Sequence, residues 1–147
     1  MKHTTVTSNI EFNFLLFGFM VNFVWEMLQM PLFEVGPEVS LIEVNLVCIQ
    51  ASIGDAAMLM IAFWILAVFF KSRRWLFHLS IPRVGLFLVP GITMTILLEA
   101  LATGPLQRWT YGDLMPILPV IGTGIAPIIQ WIIVPPLVLS LVRKQLL

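Results

Sequence analysis

Three acidic residues, Glu26, Asp55 and Glu99, lie within stretches of sequence that are otherwise apolar enough to cross a membrane. A charged residue at the centre of a membrane helix costs about 2.5–3.5 kcal/mol on insertion scales. Such residues therefore face one another, a cation or a wet cavity, and they commonly mark sites of binding or proton transfer. We predict that these three acids form the functional site of the protein and are its candidate catalytic residues.

The composition of the chain indicates that much of its surface faces lipid. Of its 147 residues, 59% are hydrophobic and 11% are charged, and the mean hydropathy is +0.99. Soluble domains carry roughly 25% charged residues, which this chain does not approach. Because the net charge is zero and no basic run occurs, nucleic acid is not an expected partner. The single Cys48 excludes an intramolecular disulfide.

Four stretches are long enough to cross the hydrocarbon core of a bilayer, which takes about 20 apolar residues. They cover residues 12–33, 49–70, 84–103 and 116–142. No cleavage motif follows the first stretch, so we interpret it as a retained helix and not as a signal peptide. We predict an all-α, polytopic membrane protein with four transmembrane helices and one membrane domain covering residues 1–147.

The basic residues predict how the chain is oriented. With an even number of spans, Arg108 falls on one side of the membrane and all other lysines and arginines fall on the opposite side. The positive-inside rule then places the N and C termini in the cytoplasm. The residues on that side are Lys2, Lys71, Arg73, Arg74, Arg83, Arg143 and Lys144.

The three acids are predicted to lie at a similar depth. A helical rise of 1.5 Å per residue puts Glu26, Asp55 and Glu99 about 10, 9 and 6 Å below the outer ends of their spans. Neighbouring polar and aromatic residues are candidate ligand-binding groups in the same layer. Three of them, Asn22, Trp25 and Gln29, flank Glu26 on the first span, and Gln130 comes from the fourth.

The outer loop between the third and fourth spans supplies the remaining candidate ligand-binding residues, Arg108, Trp109 and Tyr111. We expect Arg108 to pair with the acids beneath it, because a guanidinium binds carboxylates bidentately. Asp113 is an alternative partner within the loop, and an interface anchor is an alternative role for Arg108. The two aromatic residues suit a membrane interface.

Prolines are frequent in the fourth predicted span. Two at its start suit a helix entrance, one near its middle would free a backbone carbonyl close to the acids, and a pair near its end would bend or end the helix early. In sequence order they are Pro116, Pro119, Pro127 and Pro135-Pro136.

Two simpler interpretations compete with a functional site. The acids could be protonated or hydrogen-bonded groups that only join helices. The eight methionines could bind copper, but methionine also fills gaps in apolar cores. Because neither His3 nor His78 lies in a span, we predict no haem and no metal site, and the sequence names no cofactor.

The element Asn22-Phe23-Val24-Trp25-Glu26, followed by Asp55 in the next span, resembles part of the integral-membrane terpene cyclases of meroterpenoid pathways. The resemblance implies that acids within the membrane protonate an epoxide or an olefin, although that family has about seven spans. A wider set of short elements consists of Trp25-Glu26, Gly54-Asp55, Arg108-Trp109-Thr110-Tyr111 and Pro127-x-x-Gln130. This set resembles small bacterial integral membrane proteins of four helices. The resemblance implies a bacterial inner membrane but no activity.

Three functions from different classes remain open. The first is a lipid-phase binding protein or enzyme, in which the acids bind or act on a lipidic or isoprenoid-like ligand by acid chemistry. The second is a non-catalytic accessory or assembly subunit of a larger membrane complex. The third is a dimeric proton-coupled transporter, for which no acid in the inner half of a span is visible. Each implies the lipid bilayer as a partner, and partner membrane subunits or further copies of the chain are possible in all three.

Overall fold

The computed structural model describes residues 9–147 and has four long helices. Helix α1 covers Ile10–Gln29 and continues as a short 3-10 turn, α2 covers Leu41–Phe69, α3 covers Ile81–Thr103 and α4 covers Ile125–Leu146. All four are long and apolar enough to cross a membrane. The prediction of an all-α protein with four membrane-spanning helices is confirmed. Lys2 and His3 lie outside the described residues.

Helix α2 begins at Leu41, not at residue 49 as predicted, because a capping box starts it. The Ser40 hydroxyl accepts a hydrogen bond from the backbone N–H of Glu43 at 3.3 Å, and the Glu43 carboxylate accepts one from the backbone N–H of Ser40 at 2.8 Å. This reciprocal pair satisfies two amides that a helix start leaves free. At 1.5 Å per residue α2 is about 44 Å long, which exceeds the roughly 30 Å hydrocarbon core.

Helix α4 begins at Ile125, not at residue 116 as predicted. The preceding residues form a loop closed by a hydrogen bond from the Ile125 N–H to the Pro116 carbonyl at 2.7 Å. Pro127, predicted near mid-helix, therefore lies in the first turn, where its missing amide has no helical partner to lose. The pair Pro135-Pro136 lies inside the helix, which continues to Leu146.

One end of the bundle is closed by contacts between its two loops. Residues 33–40 join α1 to α2, and residues 104–124 join α3 to α4. An antiparallel bridge connects Phe33 with Tyr111, and the Glu34 N–H donates to the Thr110 carbonyl at 2.9 Å. We call this the bridged end.

The opposite end carries the 3-10 helix Arg73–His78, which packs against α2 and α4. We call it the basic end. It contains Lys71, Arg73, Arg74, Arg83, Arg143 and Lys144. Which end faces the cytoplasm stays a prediction from the positive-inside rule.

Four buried aromatic residues fill the bundle on the side of the basic end. The rings of Phe14 and Phe63 lie 4.8 Å apart, and those of Trp75 and Phe87 lie 5.4 Å apart. Phe63 and Trp75 connect the two pairs at 5.9 Å. Each of the four is at most 2% exposed. We call these four residues the aromatic plug, since they fill the space between the helices with apolar rings.

Candidate functional site

The buried amide of Gln130 lies at the centre of the polar residues of the bundle. Its Nε2 atom is 2.9 Å from Asn22 Oδ1, 3.1 Å from Glu26 Oε1 and 2.9 Å from Asp55 Oδ2. These contacts join α4 to α1 and α2. A primary amide has only two hydrogens, so it cannot donate to all three oxygens at once. The site therefore has more acceptors than Gln130 alone can satisfy.

Residues of α1 supply further donors to the same site. Trp25 Nε1 donates to Gln29 Oε1 at 2.9 Å, and Gln29 Nε2 donates to Glu26 Oε1 at 2.9 Å. The amide of Gln29 also lies 3.4 Å from Gln130 Oε1. Spacings of three and four residues put these groups on neighbouring parts of one helix face. The structure thus brings together the candidate residues that the sequence placed on the first span, and it adds Gln130 to them.

Glu26 and Asp55 come together at the amide of Gln130, whose Nε2 atom lies within 3.1 Å of an oxygen of each carboxyl group. We call these two residues the carboxyl pair. Two ionised carboxylates held around one amide repel each other, so the arrangement favours a proton on one of the two groups. Both residues are partly exposed. The neighbouring Gly54 is exposed, and a Cβ added to it would meet no atom within 4 Å, so space is open beside the pair.

Glu99 belongs to a second group of polar contacts at the bridged end. The Tyr111 hydroxyl donates a short hydrogen bond to Glu99 Oε2, and Trp109 Nε1 donates to the same oxygen at 3.3 Å. We call these three residues the Glu99 cluster. Burial, and then the hydrogen bond to Glu99, raise the pKa of Tyr111 well above its usual value, because both disfavour the phenolate.

Arg108 does not pair with the acids as expected. It is exposed, and the only ion pair within residues 9–147 joins Arg73 to Glu11 at the basic end. Residues 108–111 alternate between exposed and partly buried positions, as in an extended chain, whose side chains point to opposite sides in turn. The alternation directs Trp109 and Tyr111 inward, so the partner of Glu99 comes from these two residues.

The His, Cys, Asp and Glu side chains of the described residues do not gather into a metal site. No group of three or more His, Cys, Asp or Glu residues in the described chain could hold a metal ion. Cys48 is buried with its Sγ atom 3.9 Å from Met30 Sδ. His78 is exposed at the basic end.

Two buried threonines were not predicted from the sequence. Thr95 and Thr123 are 5% and 1% exposed, and neither hydroxyl has a hydrogen-bond partner within the described residues. Thr95 precedes Glu99 by four residues and therefore lies on the same face of α3. This spacing was the available signal for Thr95. Thr123 lies in the loop immediately before α4, where no periodicity applies.

The comparisons give no relative for this chain. No protein-family model, no curated protein and no solved structure matches it. The resemblance of the element from Asn22 to Glu26 to the terpene cyclases stays a prediction.

Proposed function

We propose that this multi-pass membrane protein binds an apolar, isoprenoid-like ligand beside the carboxyl pair and donates a proton to it. The observation that carries the proposal is that Glu26 and Asp55 lie around the same amide, that of Gln130, which is within hydrogen-bonding distance of both. A carboxyl group that keeps its proton in an apolar setting is a strong candidate for a general acid.

The amides around the pair suit this chemistry. When one carboxyl gives its proton to an oxygen or a double bond of the ligand, its O–H bond breaks and a carboxylate remains. Gln130 and Gln29 both lie within 3.1 Å of Glu26 Oε1, so donors are already in place for the new charge. Donors fixed before the reaction stabilise developing charge without further rearrangement.

A ligand within the membrane has a route to the pair. Gly54 leaves open space on the exposed side of α2 next to Asp55, and a residue without a side chain permits close approach between helices or by a ligand. Exposed apolar residues flank this position, including Ile53 at 58% exposure. An apolar ligand could therefore reach the carboxyls from the lipid without passing through either loop.

The alternative functions differ in their support. An accessory subunit is favoured by the hydrogen bonds of Gln130, because these link three helices as a structural lock would. A proton-coupled transporter is less favoured, because the aromatic plug fills the bundle between the carboxyl pair and the basic end. A proton path would need polar groups or water through that region.

The test compares the wild type with Glu26→Gln and Asp55→Asn, which keep the shape of each side chain and remove its acid. Glu38→Gln is the matched control, since Glu38 is an exposed acid in the loop of residues 33–40. Lipids that co-purify with each protein are identified by mass spectrometry. We expect the two site variants to retain at least tenfold less of a specific apolar lipid than the control.

Proton donation is measured separately by incubating the protein with its co-purified lipid in D₂O. We expect deuterium to enter the lipid with the wild type and with Glu38→Gln, but not with the two site variants. A lipid that is retained without deuterium uptake would reduce the proposal to binding alone. The same lipid content in all four proteins would contradict a site at the carboxyl pair and would favour the accessory subunit.

A further inference from the structure

The basic end of the bundle concentrates positive charge with little to neutralise it. Six of the lysines and arginines lie there, and the acid that meets them, Glu11, is already paired with Arg73. His78 is exposed beside them, and its backbone carbonyl accepts a hydrogen bond from Arg83 at 2.6 Å. The remaining cations have no acidic partner within the described residues. An anion from outside the chain would therefore meet a strongly positive surface.

Two buried donors at the same end also lack an acceptor. Trp75 is 2% exposed, and its Nε1 atom has no hydrogen-bond partner in the described chain; the same holds for Nε of the partly buried Arg143. Trp75 lies in the 3-10 helix that packs against α4, and Arg143 lies in the last turn of α4. Buried donors are nearly always paired in native proteins, so two unpaired donors at the same end of the bundle point to an acceptor that the described chain does not supply.

We propose that the basic end binds the phosphate of an anionic phospholipid, whose oxygens accept hydrogen bonds from the donors that Trp75 and Arg143 leave unpaired. The planar guanidinium of arginine matches the geometry of phosphate. The cations lie at the ends of membrane-length helices, where the phosphate layer of a bilayer is found. A zwitterionic lipid would bring its own cation into an already positive site, so an anionic headgroup is favoured.

An apolar groove on α2 offers a place for the acyl chain. It has a volume of about 470 Å³ and is lined by Met60, Ile61, Trp64, Ile65 and Val68. The guanidinium of Arg73 lies over the Trp64 ring at 5.3 Å from its centroid. The groove therefore runs to the basic end, so an acyl chain lying in it would bring its headgroup to that end.

The experiment titrates the detergent-solubilised full chain with phosphatidylglycerol or phosphatidylcholine and measures bound lipid by native mass spectrometry. We expect phosphatidylglycerol to bind about tenfold more tightly, and Arg143→Gln to remove most of that preference. Lys144→Gln is the matched control, because it removes the same charge from the next residue, which is exposed. It should change the preference by less than about twofold.

Trp75→Phe keeps an aromatic ring and removes only the donor. It should weaken phosphatidylglycerol binding by about threefold to fivefold, and it decides the question if Arg143→Gln does not fold. An unchanged preference in Trp75→Phe and in a folded Arg143→Gln would overturn the proposal, as would equal losses in Arg143→Gln and Lys144→Gln. Competition by millimolar inorganic phosphate with equal strength would assign the site to a soluble anion and would also overturn it.

Discussion

The substitution Gln130→Leu tests whether the central amide holds the carboxyl pair. Leucine has a similar size but no hydrogen-bonding group, so Asn22, Glu26 and Asp55 would lose the donor that they share within 3.1 Å. Gln130 is 3% exposed, and leucine fills most of the space that the glutamine side chain occupies. The loss of stability in Gln130→Leu would therefore come mainly from lost hydrogen bonds and not from a cavity.

The magnitude follows from the number of hydrogens. Gln130 donates two hydrogen bonds at a time, and hydrogen bonds to charged groups contribute about 1.5–3 kcal/mol each. Their loss predicts a decrease of about 3–6 kcal/mol in the free energy of unfolding. Ordinary hydrogen bonds between membrane helices average about 0.6 kcal/mol, so two of them would contribute only about 1 kcal/mol. The size of the loss therefore distinguishes an amide that satisfies charged carboxyl groups from one that makes ordinary hydrogen bonds between helices.

The assay is reversible unfolding in mixed detergent and SDS, followed by tryptophan fluorescence and circular dichroism. The matched control is Gln50→Leu, which makes the same exchange at an exposed residue of α2. We expect the control to change the unfolding free energy by about 0.5 kcal/mol or less. A loss of about 1 kcal/mol or less in Gln130→Leu would refute the view that its amide satisfies the carboxyl pair.

Two further predictions concern helix packing and the Glu99 cluster. Gly91→Ala should destabilise the protein by about 1–3 kcal/mol, because a Cβ there would lie 2.1 Å from Trp131 Cε3. The control is Gly85→Ala on the same helix, where an added Cβ meets no atom within 4 Å. This control should raise the melting temperature, since alanine favours helix. Equal melting temperatures for the two variants would contradict this packing. Tyr111 is the only tyrosine, so its ultraviolet absorbance should show ionisation well above pH 10 in the folded protein. Because the pKa of Tyr111 is raised on folding, its contribution to stability should be complete below about pH 10 and decline at higher pH. Tyr111→Phe should remove that decline. Ionisation of Tyr111 near pH 10 would argue against its buried contact with Glu99.

The sequence was sufficient for the number of helices and insufficient for where two of them begin. Apolar length alone indicates four spans, because a bilayer needs about 20 such residues. The start of α2 depended on a local signal, Ser40 with Glu43, which lies outside the apolar run. The start of α4 depended on a loop closed by the Ile125 N–H and the Pro116 carbonyl, a contact that no local pattern indicates.

In the candidate site too, the sequence predicted contacts within a helix but not contacts between helices. Helical spacing correctly grouped Glu26 with Gln29, because residues three apart share a face. That Gln130 contacts both members of the carboxyl pair depended on which helices pack together, which periodicity does not define. The expected partner of Glu99 was a cation, yet the extended chain of the loop turns Trp109 and Tyr111 inward and leaves Arg108 exposed.

The positions of the aromatic plug and the Glu99 cluster determine how protons could reach the carboxyl pair. Under the proposed function, each proton given to a ligand must be replaced. The plug blocks supply from the basic end, because its buried rings include no ionisable group. At the bridged end, Glu99 is partly exposed and accepts hydrogen bonds from Tyr111 and Trp109. We therefore expect protons to be resupplied from the bridged end, past Glu99; the positive-inside rule predicts that this end faces away from the cytoplasm.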